Sequence, residues 1–373
     1  MQRRTPTPRF RKALMLMLAS SVSLLADAAP GRTDAVAAWP EGSVALAARP
    51  VGVVERAPDA SGWHYRWPGT YFEARFAGTD VYVDLGAGDK HARVSIDSRE
   101  VADLVRPQAR LLRIHGLPHA EHTVRVDIVS ESADRVQTFG GFAVSSGAAA
   151  LVPRVRARAI EFVGDSWTVG YGAGSGAREC SDDEVWRSTD SSLAFGPQVA
   201  RRFDADYRLL AISGRGMVRN FSNGAGDTLP QAYERLSTIA DDWSPQLIVI
   251  GLGTNDFSTP VGPAEPWKDA AELSAAFERR YVAFVRALHG RHPSARFLLI
   301  ASDVGEGAAE HAVRRVRAQL ASTGLLVGEV VVPGPLTLDA CNWHPSRADQ
   351  QQIARHLAAA VEAVMPDWRP SSP

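Results

Sequence analysis

Ala159-Ile160-Glu161-Phe162-Val163-Gly164-Asp165-Ser166 is a short apolar run closed by a glycine, with an aspartate and a serine directly behind it. Runs of this kind, bounded by turn residues, read as strands buried on both faces. Further runs follow at 208–213, 246–251, 296–301 and 328–332. Between them lie helix-period segments near 192–203, 230–240, 271–289 and 306–323, and a last one spans about 347–365. Five β units separated by helices imply a parallel sheet covered on both faces, a three-layer α/β/α domain over about 151–370. The expected strand order is flavodoxin-like, with the first strand beside the third. In such sheets ligands bind beyond the C-terminal ends of the strands.

Upstream, the periodicity changes. From about 38 to 150 the chain alternates polar and apolar residues with period two, as in Tyr71-Phe72-Glu73-Ala74-Arg75-Phe76 and again over 81–85, 92–96 and 122–128. No helix-period window of useful length interrupts these strands, which predicts a β-sandwich of jelly-roll type. It carries no evident catalytic constellation.

The first segment is an address. Arg3, Arg4, Arg9, Arg11 and Lys12 precede an apolar run over 13–26, and Ala26-Asp27-Ala28 offers a small-x-small cleavage site. This reads as a signal peptide over 1–28, which implies a periplasmic or secreted mature chain. A formal net charge of −1 lacks the basic face that a nucleic-acid or anionic-membrane partner needs. No CxxC or HExxH string is present and the histidines are scattered, so neither a metal nor another cofactor is expected.

Three features fall at C-terminal strand ends. The first strand delivers Gly164-Asp165-Ser166, the second Ser213-Gly214-Arg215-Gly216, and the third Gly253-Thr254-Asn255-Asp256. After the fifth strand comes Cys341-Asn342-Trp343-His344-Pro345. A serine hydroxyl is a weak nucleophile until a base takes its proton, which nominates Ser166 and His344 as a catalytic pair. The oxyanion of a tetrahedral intermediate needs fixed donors. The backbone N–H groups of Ser166 and Gly214 and the Asn255 carboxamide can supply them. A second His-Pro-Ser, at 292–294, follows a long helix and precedes a strand, so it falls at the opposite sheet edge.

Together, Gly164-Asp165-Ser166, Gly214, Gly253-Thr254-Asn255-Asp256 and His344-Pro345 resemble the signature blocks of the SGNH (GDSL) hydrolase superfamily. The longer strings around Ser166, Asn255 and His344, behind a jelly-roll-like domain, resemble carbohydrate esterase family 2. The resemblance implies a metal-free serine esterase that removes O-acetyl groups from plant polysaccharides such as xylan and glucomannan. It also implies Ser166 and His344 as nucleophile and base, with Gly214 and Asn255 completing the oxyanion hole.

This sequence departs from the family in one place. The position three before the histidine, usually aspartate, is Cys341, and the position two before it is Asn342. Either a backbone carbonyl orients His344 or Asp339 serves as third triad member. The first reading leads, because the imidazole needs orientation more than charge. An oxidising compartment allows Cys180 and Cys341 to pair, the alternative being two unpaired buried thiols. Trp167, Trp267 and Trp343, with Trp186, are candidates for a sugar-binding wall against the bland alternative of core packing. Arg219 and Asn220 are candidate contacts to sugar hydroxyls. Two other functions compete: an SGNH esterase or lipase for lipid, aryl or thioester substrates, and a non-catalytic carbohydrate-binding protein.

Overall fold

The computed structural model describes residues 31–59, 62–131, 135–236, 242–303 and 305–368. The expected signal peptide lies outside them. The first domain is all β. A nine-stranded antiparallel sheet is built around two long strands, Tyr71–Asp84 and Leu111–Ile128, and a three-stranded sheet packs against it. Period-two alternation sends Phe72, Phe76, Val81, Val83, Val124 and Val126 into the space between the sheets. Phe72 stacks there on Phe139 of the small sheet at 4.0 Å. Two runs that read as separate strands, 71–76 and 81–85, form one strand with a register shift between Gly78 and Asp80. A bulge keeps a strand continuous where the alternation slips. Strand Arg32–Val36 pairs with the long strand from outside the expected 38–150 span.

The second domain holds a parallel sheet of β1 (Arg158–Gly164), β2 (Ala205–Ala211), β3 (Leu247–Gly251) and β4 (Arg296–Ile300), in the order β2-β1-β3-β4. Its helices are α1 (Ser166–Val169), α2 (Asp182–Ser188), α3 (Phe195–Arg202), α4 (Leu229–Leu236), α5 (Thr254–Phe257), α6 (Ala270–Arg291), α7 (Ala308–Ala321) and α8 (Arg347–Val364). Each sheet face is covered by its own apolar cluster. This is the expected flavodoxin-like α/β/α fold. The fifth run, however, forms only isolated bridges to β4, Phe297 with Val327 and Ile300 with Val331. Gly328 donates to Phe297 and Val331 to Leu299, so three steps on this edge oppose two on β4. The extra residue prevents a regular ladder.

A polar seam joins the domains. Glu73 on the β-sandwich meets Arg125 at 3.0 Å and Arg156 at 2.8 Å, and Asp206 on β2 accepts from Tyr71 at 2.6 Å and from Arg49. Burial would raise both carboxyl groups, and these bonds outweigh it and hold them below the usual range. The β-sandwich therefore sits at a set orientation to the sheet edge where β2 begins.

Candidate active site

Gly164 lets β1 turn into α1 at close range, because a Cβ there would lie 2.0 Å from Thr168 Oγ1. Asp165 caps α1 by accepting from the Trp167 N–H at 3.1 Å, and Ser166 occupies the first turn, mostly buried. The His344 Nε2 lies 2.9 Å from Ser166 Oγ. His344 Nδ1 lies 3.0 Å from both the Cys341 and the Asn342 carbonyl oxygens. A carbonyl can only accept, so Nδ1 carries the proton and Nε2 is left to accept the Ser166 O–H. Burial lowers the His344 pKa, against the opposing pull of the two carbonyls, which favours the neutral imidazole.

The loop bearing His344 is fixed from several sides. Asn342 and Trp343 both adopt positive φ, 52° and 57°, which turns the backbone beneath the imidazole. Asparagine tolerates that conformation well, and its carboxamide donates to the Tyr171 hydroxyl at 3.0 Å. The Tyr171 ring packs on His344 with centroids 4.3 Å apart. Ser346 and Asp349 form a capping box that starts α8, and Asp349 also accepts from the N–H groups of Thr337 and Leu338. Gln350, fully buried, bonds the Phe195 N–H and the Trp167 carbonyl, tying α8 to α1. Cys180 and Cys341 are bonded, joining the loop before α2 to the histidine loop.

The two N–H groups expected at an oxyanion hole are uncommitted: those of Ser166 and Gly214 donate to no other described residue. Gly214 has φ of 77°, and a Cβ there would meet nothing within 4 Å, so conformation rather than space calls for glycine. The Asn255 Nδ2 donates to the Arg215 carbonyl at 2.9 Å and to Asp165 at 3.2 Å. Asp256 accepts from the N–H groups of Met217, Val218 and Arg219, each at 2.9 Å, and so shapes the loop that presents Gly214. Burial pushes Asp165 up to about 7, with the Trp167 N–H opposing and Asp256 adding. Burial likewise pushes Asp256 up to about 6 against its three N–H donors.

Other candidates lie elsewhere. Asp339 is bonded to Arg178 at 2.7 Å and not to His344, because residues 337–339 turn its side chain outward to the loop before α2. The carboxylate reading of the third position is thereby corrected. Trp167 is buried in one apolar cluster, as a core residue, and Trp267 is half-buried against the other. The Arg219 guanidinium is 1% exposed and paired with Glu265, and Asn220 bonds the carbonyls of Gly224 and Gly226; both build loops rather than a sugar surface. Trp343 is 58% exposed beside the pair. Tyr171, Asp349 and Gln350 were not singled out from the sequence, where only their spacing from Ser166 and His344 marks them. Among the described residues no group of three or more His, Cys, Asp or Glu is placed to hold a metal, and no helix is long and apolar enough to cross a membrane.

The fold and this arrangement define a carboxylic ester hydrolase. Residues 162–369 match the GDSL-like lipase/acylhydrolase family and residues 54–153 match the carbohydrate esterase 2 N-terminal domain. The chain belongs to the GDSL family, in its carbohydrate esterase 2 branch. It is 37% identical to an acetylxylan esterase / glucomannan deacetylase of Cellvibrio japonicus, over 82% of this chain and 86% of that one. A solved carbohydrate esterase, whose active site displays divergent catalytic and non-catalytic binding functions, superposes with a TM-score of 0.80. It is 35% identical and covers 87% of this chain and all of its own. The carbohydrate esterase family 2 enzyme of Corynascus thermopiles superposes with a TM-score of 0.72, at 27% identity, over 86% of this chain. The protein is a carbohydrate esterase.

Proposed function

We propose that this carbohydrate esterase removes O-acetyl groups from plant cell-wall polysaccharide of the xylan or glucomannan type, or from its oligosaccharides, through an acyl-enzyme. The observation that carries the reading is the 2.9 Å contact between His344 Nε2 and Ser166 Oγ, with Nδ1 held by two carbonyls. His344 takes the serine proton as Ser166 Oγ attacks the acetyl carbonyl. The oxyanion forms at the N–H groups of Ser166 and Gly214. Asn255 joins them as its 3.2 Å bond to Asp165 is shared or exchanged. The tetrahedral intermediate collapses, His344 returns the proton to the departing sugar oxygen, and a water attacks the acyl-serine by the same path in reverse roles. Backbone carbonyls replace a carboxylate in orienting the base. Exposed Trp343 offers a sugar face beside the pair. The signal-like N-terminus supports a reaction in the periplasm or outside the cell, where such polymers are met.

Acyl length and alcohol test this reading together. kcat/KM is measured on 4-nitrophenyl acetate, butyrate and octanoate, alongside acetate release from acetylated xylan and glucomannan. A tight acyl pocket rejects added methylenes, whereas an open apolar surface gains about 0.8 kcal/mol from each. Activity that falls with chain length, with acetate released from polymer, supports the proposal. Rising activity to octanoate with no acetate from polymer assigns a lipolytic esterase, and no hydrolysis of any ester assigns a binding protein.

A further inference from the structure

Beside the catalytic pair the two domains enclose a cleft of about 720 Å³, inside the ~300–1,000 Å³ range of small-molecule sites. Tyr171, which packs on His344, lines it together with Trp186 and Arg215, and the β-sandwich domain adds Arg66 and Glu131. The Arg106 guanidinium lies 3.9 Å from the Trp186 ring centroid and braces that ring where it lines the cleft. Arg215 directly follows Gly214, and its carbonyl accepts from Asn255. Whatever binds its side chain is therefore one residue away from the oxyanion loop.

The Arg215 guanidinium is seated. It donates to the Ala225 carbonyl at 2.7 Å, and Gly226 leaves room for it, since a Cβ there would lie 2.9 Å from Nη1 and 3.0 Å from Nη2. No carboxylate among the described residues pairs with it. The Glu131 and Asp227 carboxylates in the cleft are committed. Both Glu131 oxygens accept from Ser213, one from its N–H at 2.6 Å and one from its hydroxyl at 2.7 Å, while Asp227 pairs with Arg235. Asp182 is exposed on the first turn of α2. A guanidinium is charged at any working pH and offers a planar fork of donors that matches a carboxylate. A neutral sugar would leave most of that fork unused.

We propose that this cleft is a sugar subsite whose occupant is a uronic acid unit of the acetylated chain, with its carboxylate held by Arg215. The inference rests on the polysaccharide deacetylase reading and names the substrate class. An esterase so equipped acts on acetyl groups next to acidic decorations, while Glu131 fixes the cleft wall to the loop that carries Gly214.

Acetate release is measured on two acetylated xylo-oligosaccharides of equal length, one bearing a glucuronic acid substituent and one without it. The readout is the ratio of their kcat/KM values, in which any general loss of activity in a variant cancels. The natural enzyme favours the acidic substrate by about 10-fold or more, as charge-assisted hydrogen bonds of ~1.5–3 kcal/mol require. Arg215→Gln brings the ratio to one or below, Arg215→Lys retains part of it, and added salt lowers it in the natural enzyme. A ratio near one in the natural enzyme, or one unchanged by Arg215→Gln, overturns the proposal. Failure to release acetate from either oligosaccharide overturns the deacetylase reading itself, and the subsite with it.

Discussion

Asp339 and Arg178 face one another at 2.7 Å, and this pair takes the first carboxylate upstream of His344 away from the imidazole. Both side chains are largely exposed, so the pair itself stabilises little. Asp339→Ala is expected to leave kcat within about tenfold, whereas loss of an orienting triad carboxylate costs ~10⁴. A steady-state comparison of the two enzymes on 4-nitrophenyl acetate decides between them, and a loss of the larger size would restore Asp339 to the machinery.

Ser166 and His344 are expected to act as one unit. Ser166→Ala and His344→Ala each remove ~10³-fold or more of kcat, and the double variant is little worse than either, because catalytic partners are not additive. Multiplicative losses in the double variant would show that the two side chains act separately.

The acid limb of the kcat/KM–pH profile reports the base. On the proposed mechanism His344 works as the neutral imidazole, and burial lowers its pKa from the ordinary 6.5. Activity therefore rises with pH through a midpoint below 6.5, is full above it, and is lost as pH falls through it. The Asp165 carboxyl, pushed up to about 7, titrates nearby. The midpoint staying in place in Asp165→Asn separates the histidine from the aspartate, and a midpoint that moves with this substitution assigns the limb to Asp165.

Asp256 holds three consecutive N–H groups of the loop carrying Gly214, and a Cβ at Gly216 would lie 2.6 Å from its Oδ2. Asp256→Asn turns an amide NH₂ toward N–H donors and disturbs the loop. The expected result is a fall in kcat of about 10²-fold, the cost of a lost oxyanion donor, with KM changed much less. An equal rise in KM would place the effect in substrate binding instead.

The Cys180–Cys341 bond closes a segment with a sequence separation of 161. In the chain-entropy model such a loop is worth about 5 kcal/mol. Cys180→Ser should lower stability by a value approaching that figure in urea unfolding, and should also lower kcat, since Cys341 supplies a carbonyl to His344 Nδ1. Two free thiols titrated in the denatured, unreduced protein would refute the bond.

Much of this protein is legible along the chain because its signals are local. Period-two runs marked the β-sandwich, and apolar runs bounded by turn residues marked β1 to β4, whose order followed from the flavodoxin-like fold they implied. Ser166, Gly214, Asn255 and His344 stood out because a parallel sheet must deliver its ligands at one edge. The fifth run failed as a strand because a ladder depends on its partner, and β4 offers two steps where the edge needs three. What sits around the histidine was legible only in part. That Asp339 turns to Arg178 and that Trp167 is buried while Trp343 is exposed depend on chain segments far apart in sequence. The cleft beside Tyr171 and Trp186 belongs to neither domain alone. Sequence determined which residues could do ester chemistry and on what kind of sheet. Tertiary packing decided which carboxylate stayed away from the base and which arginine was left without a carboxylate among the described residues, because burial and pairing are properties of neighbours that the chain order does not contain.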